Sequence, residues 1–177
     1  MTAASALTGP AVAAALLLVG AGVAKALRPT DTAKALTLAG LPVGPGGVRA
    51  GALAETAIGV WAVVAGGLLS YGAVAASYLG FAGYLTWLLR RGLPVASCGC
   101  FGTPDVPATR LHVGVDLVAA VLAGGAATLR APTMAVVLGD QPLGGLPFLG
   151  LVVLAATLAM AVLTLLPRLA TVARRIA

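Results

Sequence analysis

Apolar residues run along this chain in blocks, and the polar positions between them are few and grouped. A hydrocarbon core ~30 Å thick is crossed by a helix of ~20 apolar residues, so uncharged blocks of about that length predict transmembrane helices. Five such blocks are present, at 10–27, 48–68, 71–89, 112–130 and 147–166. The first ends in Lys25, Arg28 and Pro29, a cluster that stops a helix by charge and by removing a backbone donor. Its flank, MTAASALTG, lacks the Lys or Arg of a secretory n-region, so this block is read as a span. Positions 48–89 are too many for one crossing, and GGLLSYG at 66–72 supplies turn chemistry to divide them. The fourth block begins near His112 and stops at Arg130, and the fifth ends before a basic tail that starts Pro167-Arg168. The expected fold class is all-α: a polytopic membrane helix bundle of about five transmembrane helices, forming one integral membrane domain over 1–177.

Composition agrees. Hydrophobic residues make up 60% of the chain and charged residues 9%, whereas a soluble domain carries ~25% charged residues. Basic residues are segregated at the loop ends. With the amino terminus outside, Lys25, Arg28, Lys34, Arg49, Arg90, Arg91, Arg110, Arg168, Arg174 and Arg175 all fall inside, and only Arg130 falls outside. The net charge of +6 therefore reads as a topology signal facing an anionic leaflet, and the expected partner is the lipid bilayer rather than nucleic acid. Apolar surface gives helices no preference for one another in lipid, so association is expected through small residues such as Gly20/Ala24, Ala76/Gly80, Gly80/Gly83 and Gly124/Gly125. No GxSxG, HExxH, P-loop or GxGxxG pattern points to a hydrolase, transferase or dinucleotide enzyme.

The chain's two cysteines, Cys98 and Cys100, sit together in PVASCGCFGTPD, within the polar loop 90–111. Alpha carbons two residues apart lie near the ~4.4–6.8 Å window of a disulfide, and a ring that small is strained and exchanges readily. Gly99 frees the backbone to bend. Nearby cations, from Lys25, Arg90, Arg91 or a protonated His112, would favour the thiolate that attacks in exchange, and Phe101 would shield the sulfur. Ionisable groups within the spans are costly and tolerated when paired or functional. Glu55 lies in the second block, where either Lys25 or Arg49 could serve as its partner. His112 and Asp116 are four apart on one helical face, where the carboxylate can orient the imidazole. Chain reversal at each crossing brings Lys25, Glu55, Cys98, Cys100, His112 and Asp116 to one membrane face. Competing readings are two inert small thiols, a structural ion pair at Glu55, a polar helix start at His112, and soft-metal binding by Cys98, Cys100 and His112. Trp61, Tyr71, Tyr78, Tyr84 and Trp87 read as interfacial anchors or packing groups.

SCGCFG followed by His112 and Asp116, together with GVAKALRP at 22–29 and ALAETAIGVWAV at 52–63, resembles the MauE family of methylamine utilisation proteins, a redox-associated branch near the DoxX-like membrane proteins. The resemblance implies a four-helix DoxX-like core plus one further span. It also implies a multi-pass protein that assists maturation of a disulfide-containing client alongside a thioredoxin-like protein, with Cys98 and Cys100 on the family's cysteines and Lys25 and Glu55 on its polar positions. The expected activity is thiol–disulfide exchange, either as an oxidoreductase or as an accessory to one, with Cys98, Cys100, His112 and Glu55 at the reacting site and Lys25, Asp116, Gly99, Phe101, Arg90 and Arg91 in support. The alternative is a non-enzymatic scaffold or copper-handling protein using the same cysteines. No cofactor is predicted. A quinone-coupled oxidase would need a second dithiol, which two cysteines cannot supply, so electrons must pass through a partner. Protein disulfides form outside the cytosol, whereas the charge bias puts the dithiol loop inside, which leaves the direction of electron flow open.

Overall fold

Arg28 leaves helical geometry, at φ −130° and ψ 61°, and the next residue is a proline. The chain breaks there and restarts at once, because a first helical position needs no N–H donor. The result is a long helix α1 (Ala3–Leu27) followed by a short one, α2 (Pro29–Leu38). In the computed structural model, which describes residues 3–92 and 109–176, these are followed by α3 (Pro45–Ala65), α4 (Gly67–Arg90), α5 (Arg110–Thr128), α6 (Met134–Gly139), a 3-10 turn (Pro142–Gly145) and α7 (Leu146–Ile176). No strand occurs among the described residues. Five of these helices, α1, α3, α4, α5 and α7, are long and apolar enough to cross a membrane, so the chain folds as an all-α polytopic bundle.

Several boundaries differ from those read in the sequence. Helix α1 begins at Ala3 and carries Pro10 inside it, because a helix can precede a proline when only one rung of its ladder is lost. The early turns are held from outside: Gly9 lies against Phe148 of α7, and Thr8 donates to the Pro132 carbonyl at 3.2 Å. The division of the second block falls at Gly66 rather than around Leu68–Tyr71. Gly66 takes φ 59° and ψ −169°, a region open essentially to glycine alone, and a Cβ there would stand 3.1 Å from Thr133 Cα. That close approach docks the α3–α4 turn on the segment after α5, where the Gly67 amide donates to the Ala131 carbonyl at 3.2 Å. Helix α7 continues through Pro167 into the basic tail. The α2 segment, read as loop, is a helix whose buried Thr32 and Ala33 face the bundle.

Helix α1 pairs with α3, α4 pairs with α5, and α1 also contacts α5 and α7. The core they share is built mostly of alanine, with Leu18, Tyr71, Tyr78 and Met134 as its largest members. Small side chains let backbones approach until main-chain atoms touch. A Cβ on Gly22 would stand 2.7 Å from the Ala52 carbonyl, and one on Gly59 would stand 2.7 Å from the Ala15 carbonyl. Gly20, Gly80 and Gly83, which their spacing offered as contact positions, have nothing within 4 Å of that point; Gly124 and Gly125 do face Ala75 and Leu7. Outward faces carry Leu53, Val64, Val121 and Leu154, exposed apolar groups whose solvent is lipid.

Candidate functional site

The close seam between α1 and α3 determines where the interior charges meet. Because Gly22 lets α1 settle against Ala52 and Thr56, the Lys25 side chain, one turn further on, reaches Glu55 and pairs with it. Lys25 is buried, 7% exposed, and its ammonium also stands over the Phe81 ring, 4.8 Å from the centroid. A carboxylate on one side and an aromatic face on the other together replace much of the water the ammonium has lost. Arg49, the other candidate partner for Glu55, turns away and donates from Nε to the Ala26 carbonyl at 3.3 Å. There it satisfies an open carbonyl at the end of α1, where a cation is favoured.

On the opposite side of Lys25 lies a cavity of about 40 Å³, enclosed among α1, α4, α5 and α7. Lys25, Tyr78, Phe81, His112 and Asp116 line it, with Leu163 closing one side. The Tyr78 hydroxyl is committed to the Ala14 carbonyl at 2.8 Å. His112 is 2% exposed, and its Nε2, like Oδ2 of Asp116, is shielded from solvent. Lys25 thus forms part of the wall between this cavity and a larger crevice of about 290 Å³ on the α2–α3–α4 side, where Glu55, Thr32 and Tyr84 are found.

The orientation of His112 comes from a residue that sequence reading passed over. Thr109, at the N-cap of α5, donates its backbone N–H to His112 Nδ1 at 3.4 Å, and its hydroxyl lies 3.0 Å from the same nitrogen. A backbone amide can only donate, so Nδ1 is the acceptor of that bond. This is a capping box in which histidine takes the place usually held by Glu or Gln, and T-R-L-H ahead of an apolar run was the available signal. Phe81 was also missed. Its signal was its place between Tyr78 and Tyr84, at three-residue spacing on one face of α4.

Of the residues singled out in the sequence, the structure thus assembles Lys25, Glu55, His112 and Asp116 around one lysine. Arg90 and Arg91 are exposed at the end of α4 and line a separate groove. Cys98, Gly99, Cys100 and Phe101 lie outside the described residues.

A five-span bundle with an ion pair between two of its helices defines a polytopic membrane protein. The chain belongs to the MauE family: the family model described as "Methylamine utilisation protein MauE" matches residues 3–129, which take in α1 to α5 and every member of the cluster. Comparison with curated proteins and with solved structures finds no match.

Proposed function

We propose that this MauE-family protein assists thiol–disulfide exchange with a thioredoxin-like protein or a disulfide-containing client through Cys98 and Cys100. The observation that supports this most is the cluster of Lys25, Glu55, His112 and Asp116, because two of its members stand at the start of α5, the helix into which the dithiol segment leads. Buried ionisable groups cost stability in a membrane, and a helix bundle needs none of them to pack. Thiol–disulfide exchange takes up and releases protons, which such a set of side chains would handle. A thiolate of the pair attacks one sulfur of the partner's disulfide, the S–S bond breaks, and the departing thiolate takes up a proton. The second cysteine then displaces the partner, leaving a Cys98–Cys100 disulfide and a reduced partner. Run in reverse, the same steps oxidise the client. A role in methylamine utilisation, in the words of the family's description, belongs to the same reading.

The test is a trapping experiment. Cys98→Ser and Cys100→Ser variants are incubated separately with a thioredoxin-like protein in its disulfide form and resolved on a non-reducing gel. One of the two single variants should accumulate a mixed disulfide, and the double variant none. Full exchange activity in the double variant would end the reading, and Cu(I) held through both sulfurs without any trapped partner would select the metal-handling alternative.

A further inference from the structure

A groove of about 620 Å³ runs along the outside of the α4–α5 pair, away from the buried cluster. One helical stripe of α4 makes its first wall, with Leu79, Gly83, Trp87 and Arg90 spaced three or four residues apart, and Leu117 of α5 stands opposite. Gly83 has nothing within 4 Å of where a Cβ would be, so the groove stays open at mid-length. At its upper end, Arg90 and Arg91 are both exposed, and the Arg91 guanidinium stacks on the Trp87 ring, 4.7 Å from the centroid. Among the described residues neither arginine is ion-paired. Stacking on the indole fixes a fork of donors over the groove mouth and leaves its edge available for an anion. From Leu79 to Arg91 the helix rises about 18 Å, close to the depth of one leaflet's hydrocarbon.

We propose that this groove binds an anionic phospholipid, with its phosphate between Arg90 and Arg91 and one acyl chain along Leu79, Gly83 and Leu117. The two ends of the site have different chemistry, and only a lipid has both. A free phosphate gains nothing from the apolar trough. A zwitterionic headgroup brings its own cation to the arginine pair and cancels part of the attraction. Position adds to the fit, because α4 ends where its apolar stretch does, and an aromatic ring with adjacent arginines at such a boundary sits at headgroup level. The proposal is independent of any role for the cysteines.

Native mass spectrometry of the purified, delipidated full chain tests it, with dioleoyl phosphatidylglycerol and dioleoyl phosphatidylcholine added at equal concentration. The protein should retain phosphatidylglycerol over phosphatidylcholine on the order of tenfold, as two basic groups at a membrane surface allow. Arg90→Gln/Arg91→Gln should remove that preference while weak retention of both lipids persists. Gly83→Leu, which fills open space in the groove, should lower retention of both. Equal retention by the unsubstituted protein, a preference that survives the double arginine variant, or unaltered binding by Gly83→Leu would each overturn the proposal. Displacement of phosphatidylglycerol by millimolar inorganic phosphate would overturn it as well, by showing a simple anion site.

Discussion

A lysine near the end of a membrane helix usually extends its stem toward the headgroups. Lys25, two residues from the end of α1, turns inward instead, because Glu55 and the Phe81 face offer it more than the interface does. Removing one member of a buried pair leaves the other charge uncompensated. Lys25→Met and Glu55→Gln should therefore each lower stability by about 3 kcal/mol, and the double variant should recover most of that loss. Reversible unfolding of the purified protein in mixed micelles measures all three variants. A double variant no more stable than the singles would show that packing around Lys25, and not charge, holds the site. Cost alone marked Lys25, Glu55, His112 and Asp116 as informative in the sequence. That Glu55 pairs with Lys25 and not Arg49 was invisible there, because chain reversal brings both cations to the membrane face of Glu55 and only the rotation of α1 against α3 separates them.

That rotation is set at the level of elements. Every span holds small residues, so spacing along one helix does not tell which face meets a neighbour, and Gly20 and Gly80 were equally credible contact points with Gly22 and Gly59. In the fold, Gly22 and Gly59 face backbone, while Gly20 and Gly80 face open space. Gly22→Ala must push α1 off the Ala52 carbonyl and should cost about 2 kcal/mol, as overpacking does. Gly20→Ala, which meets nothing, should be neutral or should stabilise by about 0.5 kcal/mol through the helix propensity it gains. The same unfolding measurement separates them, and equal effects at the two positions would refute the seam. Helix α2 shows the other limit of sequence reading. With only ten residues and a low mean hydropathy it resembles a polar loop, and its buried Thr32 and Ala33 become apparent only once α1 and α3 stand beside it.

For the whole molecule, five successive crossings would place the α2–α3 connection and the start of α5 on one side and the end of α5 on the other. The charge bias then predicts which side is which. In a background with both native cysteines replaced, single cysteines at Leu41 and Leu111 should resist a membrane-impermeant maleimide on intact cells, whereas one at Leu129 should label rapidly. Labelling at Leu41 and Leu111 with protection at Leu129 would invert the orientation and move the dithiol loop to the oxidising side. Labelling at Leu41 and Leu129 alike would break the parity itself.

Membership of the all-α membrane class followed from the sequence alone, because the bilayer's thickness and lack of hydrogen-bonding solvent leave a long uncharged run no other stable form. The same holds for the Arg28–Pro29 break and for the scarcity of interior charges, which are local facts of charge and backbone chemistry. The tertiary structure alone decided which glycines form the seam, that Thr109 sets the orientation of His112, and that Lys25 stands between Glu55 and the cavity lined by His112 and Asp116. Each of those depends on how one helix is turned about its axis relative to another. In lipid that rotation is set by the sum of many small van der Waals contacts across the chain, which no stretch of sequence carries by itself.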